Sequence, residues 1–166
     1  MEAFLPDHDM RVVACLQCDP LDPPLELAEL TRRARGDGAI VSFVGLARPQ
    51  SDGGARLDSL VLECHPTLTK QSLEQIALGC AERFAASHIR VVHRYGVIPA
   101  GEAILFAGVA ATHRRAAFDG ANYLVDLLKT EAIFWKREVG DTGSNWIEPR
   151  ESDYADRARW REPEAQ

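Results

Sequence analysis

Strands and helices that alternate, with some strands in direct succession, predict an α+β fold for this 166-residue chain. Three observations carry the prediction. Apolar runs of strand length recur at residues 11–18, 38–46, 57–63, 89–95 and 103–111. Two longer stretches, 67–84 and 118–130, repeat their apolar residues every three or four positions, as a helix with one buried face does. No internal repeat and no linker-like composition divides the chain. One domain over 1–166 is expected, with 1–10 and 155–166 as loose ends.

Taken in order, Arg11–Cys18 reads as the first strand. Asp22 can cap a helix whose first turn accepts Pro23 and Pro24. Leu27, Leu30 and Ala34 give that helix an apolar side, and Gly36 suits its end. Arg32, Arg33 and Arg35 form a solvated last turn that favours the helix dipole. Gly38–Leu46 is the second strand and leads into a Gly- and Pro-rich polar loop, 47–56. Leu57–Glu63 is the third strand, ended by His65-Pro66. The helix over 67–84 buries Leu73, Ile76, Ala77, Cys80, Ala81 and Phe84, and Thr69 is a candidate cap. Ile89–Tyr95 is a strand and Pro99-Ala100-Gly101 a turn. Ala103–Ala111 is apolar enough to run through the middle of a sheet. The next helix places Phe118, Ala121, Leu124, Val125 and Leu128 on one face. Beyond it, "EVGDTGSNW" reads as a hairpin, with Asp141 and Gly143 in the turn and Trp146-Ile147 on the return strand. The charged tail from Tyr154 frays or forms a short helix.

Composition bounds the function. Hydrophobic residues are 46% and charged residues 27%, ordinary for a soluble globular protein. No apolar run is long enough to span a bilayer, and the acidic start "MEAFLPDHDM" lacks the basic-then-apolar order of a secretory signal. A net charge of -6 argues against a general nucleic-acid binder. Cytoplasmic location is therefore expected, with neither membrane nor nucleic acid as partner. Cys15 and Cys18 form a lone C-x-x-C without a second half. Strand alternation would send them to opposite faces, so they read as ordinary thiols, and no metal cluster is visible.

Chemistry concentrates late in the chain. Of the 19 basic residues only Lys70, Lys129 and Lys136 are lysines, and two of these fall close together. Arg keeps its proton, whereas Lys can lose one when burial or neighbouring charge acts on it. Lys129 ends the helix over 118–130, and Lys136 follows a short loop beside Trp135 and Arg137. Such a pair suits a site that binds an anion and also moves a proton or takes an acyl group. His113, Arg114 and Arg115 stand at the start of the same helix, where N–H groups and the dipole favour an anion. They could equally cap and solvate that end. Arg48 alone reads as a solvated cation. Glu138 reads as an orienting or ion-pair partner of Lys136 or Arg137, Phe43 and Trp135 as core or pocket wall, and His65 as structural.

Six blocks carry a resemblance: "GAIVSFVGLAR" (38–48), "LECHP" (62–66), "HRYGVIPAGE" (93–102), "HRRAAF" (113–118), "YLVDLLKTEAIFWKRE" (123–138) and "WIEPRESD" (146–153). In this order they resemble the catalytic (large) subunit family of molybdopterin synthase, over most of the chain. The resemblance implies an α/β hammerhead-like fold with an additional antiparallel β-sheet. It implies transfer of sulfur from the C-terminal Gly-Gly thiocarboxylate of a small ubiquitin-like subunit to cyclic pyranopterin monophosphate, forming the dithiolene of molybdopterin, with no cofactor. It also implies a homodimer within a heterotetramer, each site drawing on both large subunits.

The site residues that follow are Lys129 and Lys136 as catalytic groups, with Arg48, His113, Arg114, Arg137 and Glu138 on the substrate. Phe43, Leu46, Ala47, Val125 and Arg150 are further candidates. Leu46-Ala47 departs from the family, where a basic residue is common. Crowding by arginines is expected to lower a lysine pKa. Lys129 is expected to matter more than Lys136, because it ends a packed helix. Two other classes stay open: a catalytically silent module that holds a phosphorylated ligand, and an adaptor whose groove binds a ubiquitin-like tail.

Overall fold

Two four-stranded sheets organise residues 11–161, the part of the chain described by this computed structural model. The elements run β1 (Val12–Gln17), α1 (Pro23–Arg33), β2 (Ala39–Leu46), β3 (Leu57–Cys64), α2 (Pro66–Arg83) and β4 (His88–Arg94). They continue with β5 (Gly96–Pro99), β6 (Ala103–Ala111), α3 (Arg114–Thr130), β7 (Phe134–Gly140), β8 (Gly143–Ile147) and α4 (Glu151–Ala158). The α+β class with an additional antiparallel sheet is thus the class observed. The loose end expected at 1–10 lies outside the described residues, as do 162–166.

The first sheet has the order β1-β4-β6-β2, parallel between β1 and β4 and antiparallel elsewhere. Its interior strand β6 is the apolar run expected there. Alternation along β6 sends Val109 towards α2 and α3, and Ala110 towards α1. Gly108 is required on the α1 side: a Cβ there would stand 2.5 Å from Leu30 Cδ2. Leu73, Cys80, Val91 and Leu124 are closed to solvent between this sheet and the two helices. Complete burial of such a side chain contributes about 1.5–3 kcal/mol.

Helix ends follow their capping chemistry, with one correction. Asp22 Oδ1 accepts the Leu25 N–H at 3.1 Å, as expected. At α2 the cap is His65, whose Nδ1 accepts the Leu68 N–H at 3.2 Å; Thr69 is not the cap. Thr69 is instead buried and donates its hydroxyl to the Ile133 carbonyl at 2.6 Å, tying α2 to the approach to β7. The stripe of α3 is also shifted by one residue. Ala117, Ala121, Leu124 and Leu128 are buried, whereas Phe118 is 54% exposed. The small residues Ala117 and Gly120 let α3 approach the sheet, which leaves the larger Phe118 on the flank.

The second sheet, β5-β3-β7-β8, is wholly antiparallel. The β7–β8 hairpin closes with Gly143 at φ +90, a conformation that favours glycine. Strand β5 was not expected from the sequence, where 99–101 reads only as a turn. It is a four-residue edge strand ending in Pro, too short to show a period. Lys136 does follow a short loop, 131–133, but it stands within the interior strand β7 and not on the loop itself. The run Lys136-Arg137-Glu138 hides that strand, because three charges mask its alternation. The tail is ordered through Trp160. Its ring packs edge-on against Phe84 and Tyr123 at 5.7 and 5.6 Å, and its Nε1–H donates to Asp126 at 2.7 Å. No described helix is long and apolar enough to cross a membrane.

Candidate functional site

A cleft of about 610 Å³ opens where the two sheets meet the C-terminal end of α3. Phe43 and Leu46 of β2 with Val125 and Leu128 of α3 supply an apolar wall. Lys129, Lys136, Arg48, Glu138, Arg150 and Asp153 supply the charge. Phe43 is 38% and Leu46 56% exposed, so this wall faces open space. Ala47 does not reach the cleft. It is buried against Leu62 and Ile98, and its backbone pairs with Gly101 and Glu102.

Alternation along β7 decides which charges enter. Lys136 and Glu138 project into the cleft, while Trp135 and Arg137 take the opposite face. Arg137 lies there over the Trp146 ring at 5.5 Å and donates to Ser144 Oγ at 2.9 Å. It belongs to the outer face of the sheet and not to the cleft of its own chain. Glu138 faces Arg48 at 3.7 Å, so its partner is neither Lys136 nor Arg137.

His113 and Arg114 stand at the far end of α3, both exposed. Fifteen residues of helix separate Arg114 from Lys129, about 22 Å along the axis. Neither residue reaches the cleft of its own chain.

The cations in the cleft differ in their partners. Arg48 Nη1 donates to Asp52 Oδ1 at 2.6 Å, and Arg150 Nη2 donates to the same oxygen at 2.6 Å. Lys129 Nζ stands 3.4 Å from Asp153 Oδ1. Asp153 Oδ2 also accepts the Arg150 backbone N–H at 2.9 Å, which caps α4. Burial opposes ionisation of Asp153, but the Arg150 N–H and the Lys129 charge hold its carboxyl below the usual carboxylate range. Lys136 makes no ion pair among the described residues. Burial, and then the charge of Lys129, push its pKa down. Arginines do not cause that shift, contrary to the sequence-based expectation.

His93 was not expected in the site. It stands one residue before the end of β4, is 5% exposed, lines the cleft and stacks on Phe134 with ring centroids 4.2 Å apart. Its Nδ1 stands 2.9 Å from the Arg94 carbonyl. A carbonyl only accepts, so Nδ1 carries the proton. Burial, reinforced by Lys136, pushes its pKa down to about 4, and the ring is neutral at neutral pH. The sequence shows His93 only as one residue of a quoted block. Asp153 meets Lys129 and Asp52 meets Arg150 only across the fold; the pairing of Asp52 with Arg48, four residues earlier, is the one local signal.

The arrangement offers three cations paired with exchangeable carboxylates, one half-buried lysine without an ion pair among the described residues, and one neutral imidazole beside an apolar wall. It can bind an anion, neutralise charge that develops on it and move a proton. A family model described as "MoaE protein" matches residues 16–131. The molybdopterin synthase catalytic subunit of Caulobacter vibrioides is 42% identical, over 90% of this chain and 97% of that protein. The subunit of the same name from Pseudomonas aeruginosa is 41% identical, over 85% and 93%. Among solved structures, a molybdopterin biosynthesis MoaE protein from Burkholderia ambifaria superposes with a TM-score of 0.76 at 34% identity, covering 90% of this chain and 97% of that one. A structure described as a complex of subunits 1 and 2 of molybdopterin-converting factor from Helicobacter pylori shares the fold, with a TM-score of 0.65 at 18% identity. Matched across most of its length and aligned with these relatives nearly end to end, the chain belongs to the MoaE protein family.

Proposed function

We infer that this chain is the catalytic subunit of a molybdopterin synthase and transfers sulfur from the thiocarboxylated tail of a small ubiquitin-like subunit to cyclic pyranopterin monophosphate. The observation that carries this reading is the convergence of Arg48, Lys129, Lys136 and Arg150 on one cleft with an apolar wall. The cyclic phosphate needs charge-assisted donors, which Arg48 and Arg150 provide. The apolar wall of Phe43, Leu46, Val125 and Leu128 suits an extended tail. As each C–S bond forms on the pterin side chain, an oxygen substituent leaves that carbon, and the acyl C–S bond of the tail is broken by water, giving a carboxylate, or by a lysine amine, giving an acyl-lysine. Lys129 neutralises the charge on the leaving phosphate oxygen. Lys136, half-buried and with its pKa lowered, is the better proton carrier or acyl acceptor.

The working unit is a homodimer within a heterotetramer. β2 is an edge strand whose Ser42, Phe43, Val44 and Leu46 are exposed. Ala39, at its start, pairs with Ala111 close to the N-terminus of α3, and Leu46, at its end, lines the cleft. The strand spans about 23 Å, close to the length of α3 from Arg114 to Lys129. An antiparallel two-fold pairing of β2 edges therefore brings His113 and Arg114 of each copy towards the cleft of the other. The four free cysteines suit a reducing compartment, the cytoplasm.

The test is reconstitution: this chain, a small partner loaded as thiocarboxylate, and cyclic pyranopterin monophosphate, with the pterin product read by mass. The reading predicts a product carrying two sulfurs. A silent binding module or an adaptor returns the pterin unchanged.

A further inference from the structure

The cleft holds its own counter-ions. The Asp52 carboxylate stands where two guanidinium groups from distant parts of the chain converge. Two planar forks aimed at one carboxylate offer more donors than its two oxygens can accept. A phosphate ester, with more acceptor oxygens, fits the same pair better. Asp52 is also poorly anchored. Its side chain is 61% exposed, at the tip of the 47–56 loop. The tip is tied within itself, by the Gly54 N–H to the Ser51 carbonyl at 3.0 Å and the Ala55 N–H to Ser51 Oγ at 3.1 Å. The loop is closed at its base by the Leu57 N–H to the Pro49 carbonyl at 2.9 Å. Above that base the Arg56 carbonyl accepts the Asp141 N–H at 3.2 Å, and the Asp52 ion pairs fasten the tip to the two arginines.

We propose that Asp52 is an internal stand-in for the anionic ligand: in the empty protein it holds Arg48 and Arg150 together at the rim of the cleft, and the ligand displaces it, freeing the 50–56 tip from the two arginines. The proposal rests on the reading of Arg48 and Arg150 as the phosphate seat. Exposed ion pairs are weak and screened by salt, so an anion with more acceptors can take them over. The hydrogen bond from Arg48 holds the Asp52 carboxyl below its usual range, so the stand-in stays charged at neutral pH. The loop then acts as a selector. Weak monoanions do not open it, and a phosphate does.

The experiment is calorimetric titration of inorganic phosphate into the wild type, Asp52→Asn and Asp58→Asn. Asp58 pairs with Arg56 outside the cleft and controls for loss of one negative charge. Asp52→Asn should bind phosphate about three- to tenfold more tightly than wild type, the range that two exposed ion pairs support. Asp58→Asn should change affinity by less than about twofold. In the wild type, saturating phosphate should speed hydrogen exchange at the 50–56 amides. Equal or weaker binding by Asp52→Asn relative to Asp58→Asn, or exchange unchanged or slowed, overturns the proposal. Arg48→Ala with Arg150→Ala in the Asp52→Asn background separates the two layers. Loss of phosphate binding there, without tightening by Asp52→Asn, refutes the stand-in alone. Retention of binding removes the seat and the stand-in together.

Discussion

Lys129 is fastened and Lys136 is not: Lys129 Nζ lies 3.4 Å from the Asp153 carboxylate, whereas Lys136, one strand away, has no carboxylate partner among the described residues. The exposed lysine thus has its charge compensated by a direct partner, whereas the half-buried one is opposed by burial and by Lys129 and only partly offset by the charge of Asp153. This reverses the basis on which Lys129 was expected to dominate. Both lysines stand on regular elements, but the environment of Lys136 is the one that destabilises its ammonium.

The first prediction follows from that burial. The folded pKa of Lys136 lies below its ordinary value of 10.5, because burial and Lys129 oppose its charge. Below the folded pKa the folded state carries the full cost of the ammonium, and the cost is relieved as pH rises towards 10.5. Lys136→Met should therefore raise the Tm at neutral pH while abolishing sulfur transfer. Calorimetry beside an activity assay checks both. A lowered Tm would show that the ammonium is well solvated.

The second concerns His93. Its folded pKa of about 4 lies below the ordinary 6.5, so the unfolded chain binds more protons between these values. The contribution of neutral His93 is fully present above about pH 6.5 and is lost as pH falls towards 4, a change on the order of 3 kcal/mol. His93→Asn removes the titrating group. Denaturant unfolding at pH 7 and pH 4.5 should show a smaller acid loss for the variant than for the wild type. An identical loss in both would place the acid sensitivity elsewhere.

The third tests the scaffold. Leu124 is fully buried between α3 and the first sheet. Leu124→Ala should lower unfolding stability by about 2–5 kcal/mol, as cavities of this size do. A loss below 1 kcal/mol in urea unfolding would contradict the packing described.

The fourth addresses the shared site. Arg114→Ala and Lys136→Met should each be inactive alone. Mixed and allowed to exchange subunits, they should recover about a quarter of wild-type activity, because half of the dimers are hybrids with one intact cleft. No recovery, in a mixture shown to contain hybrids, would place His113 and Arg114 outside the site.

Local patterns made much of this readable from the sequence. The buried face of α2, the apolar β6, the Asp22 cap and the β7–β8 turn depend on neighbours within a few residues, and periodicity or capping chemistry exposes them. The placement of Lys129 at a helix end was readable in the same way. The strand that carries Lys136 is hidden in the sequence because charges point to both of its faces, Lys136 and Glu138 to the cleft and Arg137 to the outside. The phase of α3 was misread because size drew attention to Phe118, whereas close packing selected Ala117 and Gly120. Asp52, His93 and Asp153 were invisible because Asp52 meets Arg150, His93 meets Phe134 and Asp153 meets Lys129 only across the fold. Arg137 and Glu138 show the same limit. Adjacent in sequence, they face opposite sides of one strand.

On the proposed function, the lysine pair performs the transfer, and the proton-labile Lys136 is not replaceable by a permanent cation. The direct measurement is single-turnover sulfur transfer from a pre-loaded thiocarboxylate partner by Lys136→Arg, beside partner binding by the same variant. Binding should be undiminished, and product should fall at least about 100-fold, the scale of one acid–base group. Turnover within a few-fold of wild type would contradict it and leave Lys136 as a source of charge alone.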